Sequence, residues 1–238
     1  MKKINSVLLP GEFFKTSFIE KIEKLKSIEV DTLYLFDHGK NPAGNDLDVY
    51  KLIDGIYKLY DVINDQISLG VCVLNINARP FQELFDKYIH ELLEIKNLKL
   101  GIGTGDDKFE KRPNFSNDIE KIIDEILDSN KFRQNNISLF IGGDSEKKLK
   151  LIKKYSIGIN QWMGTKKSFE EKESIFTQIE NPKGNLSLCQ RADKPSFFNS
   201  ELNYEYIYVL KDSNREIFFE TIDNLSLIHI SEPTRRRT

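Results

Sequence analysis

Eight short apolar runs, each followed by a longer amphipathic or polar stretch, set the strongest limit on the fold. The runs are Ser6–Leu9, Thr32–Phe36, Ser68–Leu74, Leu98–Ile102, Ile137–Ile141, Gly158–Trp162, Leu186–Gln190 and Tyr206–Leu210. They are apolar at nearly every position rather than at alternate ones. That pattern belongs to strands covered on both faces, as in parallel sheets. Between them, Ser17–Ser27, Pro80–Ile95, Asp118–Leu127, Glu146–Lys154 and Ser168–Phe176 repeat at helical period. Ile119, Ile122, Ile123 and Ile126 share one face of the third of these, and Ser116 or Asn117 is expected to cap it. The alternation predicts an α/β protein with a parallel sheet, and eight strand–helix units close most readily into a (β/α)8 barrel. An open doubly wound sheet is the alternative.

Composition narrows the function classes. With 39% hydrophobic and 30% charged residues the chain reads as a globular, water-soluble protein. A net charge of −2 lacks the basic excess that a nucleic-acid binder needs. No apolar run reaches the ~18 residues of a membrane span. No N-terminal signal segment is legible, and Cys72 and Cys189 both lie inside apolar runs, so a cytoplasmic protein with reduced thiols is expected. Of the three histidines, His38 ends a strand, His90 belongs to a helix and His229 lies near the C-terminus, so no histidine-based metal site is expected. Residues 225–238, LSLIHISEPTRRRT, resemble the translation of a sequencing adapter. They are expected to be an artefactual tail on a single domain spanning 1–224, with the helix after the eighth strand cut short.

The strand ends carry the chemistry. Asp37 and His38 follow the second, Asn75 the third, Thr104 and Asp106 the fourth, and Gly142, Gly143, Asp144 and Ser145 the fifth. In a (β/α)8 barrel such tips converge on one mouth. The stretch KLGIGTGDD spells G-x-G-x-G at Gly101, Gly103 and Gly105. It is not the dinucleotide fingerprint, which would follow the first strand. Tight packing and close approach of a ligand both account for it. His38 can donate to a carbonyl or phosphate or shuttle a proton, and Gly142–Ser145 opens a helix whose N–H groups favour anions. A simple turn capped by Asp144 or Ser145 explains the second motif equally well.

Three segments, DTLYLFDH (31–38), SLGVCVLNINARPFQELFDKYIHELLEIKNLKLGIGTGDD (68–107) and ISLFIGGDSEKKLKLIKKYSIGINQWMG (137–164), resemble the luciferase-like monooxygenase superfamily in order and spacing. These are flavin- and deazaflavin-dependent oxidoreductases; the likeness covers most of residues 4–164 and fades beyond 165. It implies a TIM barrel binding FMN or coenzyme F420, with the flat ring across the C-terminal mouth. It implies a non-prolyl cis peptide at Cys72–Val73 behind the ring. Asp37 and His38 would lie near ring and substrate, His38 as a polar substrate contact or proton donor. Thr104, Gly105 and Asp106 would meet the ribityl chain or reactive edge, with Asp106 as a proton relay. Gly142 and Gly143 would meet the cofactor phosphate, and Trp162 would line the substrate pocket. The chain is shorter than many members, and Asp106 stands where glutamate is a common choice. The expected function is hydride transfer between the cofactor ring and a small organic substrate, in a family whose members often dimerise. The alternatives are a degenerate, non-catalytic flavin-binding or structural barrel, and a phosphate-substrate barrel.

Overall fold

Parallel strands form where the apolar runs lie. They are β1 (Ile4–Leu8), β2 (Thr32–Leu35), β3 (Ser68–Asn75), β4 (Lys99–Gly103), β5 (Ser138–Gly142), β6 (Gly158–Trp162), β7 (Leu186–Arg191) and β8 (Glu205–Val209). In the computed structural model, which describes residues 4–28, 30–44, 46–63, 67–105, 110, 114–143, 145–195 and 202–231, each strand pairs with the next and β8 returns to β1. The sheet is therefore a closed (β/α)8 barrel, and the open-sheet alternative falls.

Alternate strand residues face opposite ways. Leu33, Val71, Leu100, Leu139, Ile159 and Leu188 point outward into a core shared with helix residues such as Ile22, Leu59, Ile122, Ile152 and Phe218. Leu8, Tyr34, Phe36, Cys72, Phe140, Cys189 and Ile207 form a second core inside the barrel. The Tyr34 and Phe140 rings meet edge to face there, with centroids 6.2 Å apart. Glycines make room for them. A Cβ on Gly70 would lie 2.2 Å from the Tyr34 ring, and one on Gly101 2.3 Å from the Phe140 ring. The first glycine of G-x-G-x-G thus serves packing.

The N-terminal end of the barrel is polar and closed. Glu205, 1% exposed, accepts from Lys99 Nζ at 2.8 Å, from Tyr34 Oη at 3.2 Å and from Ser6 Oγ. A carboxylate taken out of water here is tolerated because it keeps a cation and two hydroxyl donors. Burial, and then the Glu205 charge, push the Tyr34 phenol well above its ordinary pKa, so it stays a donor.

The helices are α1 (Phe18–Ser27), α2 (Leu52–Ile63), α3 (Phe81–Leu84) continuing through a π-helical turn (Phe85–Ile89) into α4 (His90–Leu93), α5 (Ile119–Asp128), α6 (Asn130–Gln134), α7 (Glu146–Tyr155), α8 (Lys166–Phe176) and α9 (Arg215–Ser231). Two of these, α2 and α6, have no counterpart among the helical segments read from the sequence, and α9 is the expected helix after the eighth strand. In α2 an interior glycine obscures the pattern: a Cβ on Gly55 would come within 2.6 Å of Leu35, so the helix lies close on β2. The cap of α5 is also corrected. Asp118 accepts from the Glu120 amide at 3.1 Å, whereas Asn117 spends its side-chain amide on the carbonyls of Ile76 (2.7 Å) and Arg79 (2.8 Å). Ser116 sits at φ 50°, in the left-handed region. At α8, Thr165 and Ser168 form a reciprocal capping box. After β8, α9 packs on α1, burying Phe218, Ile222 and Leu225. No helix among the described residues is long and apolar enough to cross a membrane.

Candidate active site at the barrel mouth

The C-terminal ends of β1, β2, β3, β6 and β8 surround a cavity of about 180 Å³. Its walls include Leu8, Phe36, His38, Cys72, Trp162 and Val209. A wider polar opening of about 640 Å³ adjoins it through Asn41, Pro42, Ala43 and Lys211 and extends to Glu12 and Asp212. Trp162, 52% exposed, stands at the rim as an apolar surface facing solvent. Tyr50 braces the rim from behind: its hydroxyl accepts from the Phe36 amide at 3.1 Å and lies 3.4 Å from the Leu9 carbonyl to which it donates.

The peptide bond between Cys72 and Val73 is cis. Around it the pairing of β3 with β4 slips, because Cys72 and Val73 together stand opposite Gly101 alone. Val73 consequently leans towards the neighbouring strand ends. A Cβ on Gly103 would lie 2.7 Å from its Cγ2, and one on Gly142 would lie 3.0 Å from its Cγ1. These two glycines therefore accommodate the bulge of β3. Gly105 needs its lack of a side chain twice over: it has φ 80°, and a Cβ would lie 2.3 Å from the Asn75 amide.

The remaining residues of the sequence reading fall along the same rim. Thr104 Oγ1 and the Gly142 carbonyl accept from Lys148 Nζ at 3.3 and 3.0 Å, which staples the β4 tip to the β5 tip. Gly143, at φ 99°, faces the same ammonium. Ser145 is the N-cap position of α7, without a side-chain cap bond. Asp106 and Asp144 lie outside the described residues.

Asp37 does something the sequence did not reveal. Its carboxylate takes both terminal nitrogens of Arg79 at 2.8 Å each and accepts from the Asn75 amide at 3.1 Å. Asp37 and Arg79 are almost wholly buried, and the guanidinium stacks on Tyr88 with 3.7 Å to the ring centroid. Burial disfavours the charge on Arg79, but the bonds and charge of Asp37 outweigh it and hold the guanidinium protonated. The pair ties the tip of β2 to the loop after β3.

His38 lies beside Phe36, ring centroids 5.1 Å apart, and borders the cavity. Its Nδ1 is 3.6 Å from Oε1 of Glu110, a side chain only 9% exposed. Glu110 escaped the sequence reading because it sits five residues past Gly105 in polar sequence without a periodic signal. Arg79 and Lys148 escaped because their partners, Asp37 and Thr104, lie 42 and 44 residues away in the chain. Among the described residues no group of three or more His, Cys, Asp or Glu side chains is arranged to hold a metal ion.

Solved structures share this architecture. One is the coenzyme F420-dependent tetrahydromethanopterin reductase from Methanopyrus kandleri, with TM-score 0.57 and 14% identity over 80% of this chain and 66% of the reductase. A second is an F420-dependent secondary alcohol dehydrogenase in complex with an F420-acetone adduct, with TM-score 0.60 and 10% identity over 94% of this chain and 91% of the dehydrogenase. The chain shares their fold. A tamarind chitinase-like lectin matches over 95% of this chain and 98% of its own, with TM-score 0.53 and 11% identity, so a barrel of this outline is not confined to oxidoreductases. No protein-family model matches the sequence, and no curated protein matches it.

Proposed function

We propose that this chain is a luciferase-like oxidoreductase that binds the deazaflavin coenzyme F420, or else FMN, across the barrel mouth and acts on a small organic substrate. The observation that carries the reading is the open cavity at the C-terminal strand ends, bordered by Phe36, His38, Cys72 and Trp162. Two enzymes named for F420 share the fold, which supports the deazaflavin over FMN.

The residues present fit such a group. The cavity of about 180 Å³ alone is smaller than the ~300–1,000 Å³ of typical ligand sites. Joined to the adjoining opening of about 640 Å³, it accommodates a ring with a polar chain. Phe36, Cys72 and Trp162 offer apolar surface to a flat ring, and Asn41 and Lys211 of the adjoining opening offer polar groups to its chain, whereas Thr104, Gly105, Gly142 and Gly143 border neither space. When bound, the deazaflavin supplies a carbon that gives or takes a hydride. The chain's own task is then to position the substrate, exclude water and handle one proton. Glu110 beside Nδ1 of His38 favours the tautomer protonated there, leaving Nε2 to accept a proton from a substrate hydroxyl or return one. Asp37 acts indirectly, by fixing the β2 tip that carries His38.

Anaerobic titration of the purified chain with F420 and with FMN, followed by cofactor fluorescence, tests the reading. Saturable binding of F420 is expected; binding of neither cofactor overturns it. Binding without turnover of any alcohol or carbonyl substrate would instead favour the non-catalytic barrel.

A further inference from the structure

The chain has two cysteines, 117 positions apart, and the barrel brings them together. Cys72 is on β3 and Cys189 on β7, four strands away in a ring of eight and therefore opposite one another. Both side chains point into the barrel interior and their sulfurs lie 3.6 Å apart, both as free thiols. A disulfide requires about 2.05 Å, so a shift of roughly 1.5 Å shared between two side chains joins them. Their surroundings are not equivalent. Cys72 borders the mouth cavity, while Cys189 is wholly enclosed, with the Asn160 amide nitrogen 3.4 Å from its sulfur.

We propose that Cys72 and Cys189 are a redox couple, closing to a disulfide across the barrel interior when a hydroperoxide enters through the mouth. The chemistry balances in two steps. The Cys72 sulfur attacks the peroxide; an S–O bond forms, the O–O bond breaks, and the departing oxygen takes a proton and leaves as water or alcohol. The Cys189 sulfur then displaces the sulfenic oxygen of Cys72; the S–S bond forms, the S–O bond breaks, and water leaves with the second proton. Two electrons pass from the thiols to the peroxide. The adjacent thiol resolves the sulfenic acid before further oxidation, and the enclosed position keeps larger oxidants out.

The hydrogen bond with Cys189, and then burial, push the Cys72 thiol well above its ordinary pKa. The titratable groups facing the pair are Tyr34 from β2, Tyr50 behind the rim, and Glu205 of β8 with its partner Lys99 of β4. Closure is accordingly faster at alkaline than at neutral pH. Because Cys72 precedes Val73, closure also moves the floor of the mouth. That consequence rests on the proposed function; the disulfide itself does not.

The test is hydrogen peroxide on the full chain, followed by alkylation in denaturant and peptide mapping without reductant. A Cys72–Cys189 cross-linked peptide, with the intact chain two hydrogens lighter, reversal by dithiothreitol and a Tm raised by more than ~5 °C are expected. In C189S, a sulfenic acid at Cys72 trapped by dimedone is expected. Stable sulfinic acid at Cys72 in the wild-type chain, disulfides only between molecules, or unmodified thiols after peroxide would each overturn the proposal. The wild-type map decides it even if C189S does not fold. F420 fluorescence titration of the oxidised and reduced chains separates the two readings: a cross-link with no F420 binding in either form refutes the proposed function and leaves the redox couple standing.

Discussion

The two ends of the barrel are built on opposite principles. At the N-terminal end a buried carboxylate, Glu205, gathers Lys99, Tyr34 and Ser6, and its charge is answered on the spot. At the C-terminal end the strand tips hold an open cavity, an exposed Trp162, and a histidine whose Nδ1 lies 3.6 Å from Glu110. The closed end holds the barrel together. The open end keeps a cavity and the apolar surface of Trp162 open to solvent. The exception is Asp37, which stands at the mouth but is engaged in the same way as Glu205.

That contrast can be broken at several points. The largest effect is expected from His38→Ala and Glu110→Gln at the open end. Each should lower turnover by about 10²–10⁴-fold while leaving F420 affinity within several-fold and thermal stability nearly unchanged. Steady-state kinetics beside thermal melts reads both quantities, and a large loss of stability would place these residues with the structural set. Next come Lys99→Met at the closed end and Asp37→Asn at the mouth. Lys99→Met removes the cation that answers Glu205, and Asp37→Asn removes the anion that answers the buried Arg79. Each should cost roughly 3–5 kcal/mol in chemical denaturation, because a buried charge is left without its counter-charge. Asp37→Asn sharpens the comparison: equal destabilisation by the two variants would confirm that it belongs with the closed end despite its position.

Gly101→Ala would force a methyl group to within 2.3 Å of the Phe140 ring and should cost about 1–3 kcal/mol. Gly142→Ala meets Val73 at 3.0 Å and the Ile102 carbonyl at 3.9 Å, and should cost less stability while weakening cofactor binding. Thermal melts and fluorescence titration of the two variants distinguish packing glycines from mouth glycines within one barrel. The smallest effect is expected from Thr165→Ala, which removes the N-cap of α8 and should cost about 1 kcal/mol with turnover unchanged.

Much of the fold was legible because strand and helix periods are local. Gly158–Trp162 matches its run residue for residue, and the other seven strands differ from theirs by one or two positions at the ends. The site was legible in part: His38 and Cys72 border the mouth cavity, Lys148 joins Thr104 to Gly142 at the neighbouring strand tips, and the Cys72–Val73 bond is cis. Roles were less legible. Gly101 serves a ring inside the barrel rather than a ligand, and Asp37 is engaged by Arg79, 42 residues away.

By itself, then, the order of apolar runs determined eight parallel strand–helix units and which strand ends carry polar tips; closure into a barrel rather than an open sheet was decided by the tertiary structure. A run's burial on both faces and a strand's polar tip are properties of a few consecutive residues. Only the tertiary structure decided which side chain answers which: Arg79 to Asp37, Glu110 to His38, Lys148 to Thr104, and Cys189 to Cys72. Those pairings join positions between 42 and 117 residues apart, and they exist because closure of the barrel sets strand ends side by side and brings opposite walls within van der Waals reach.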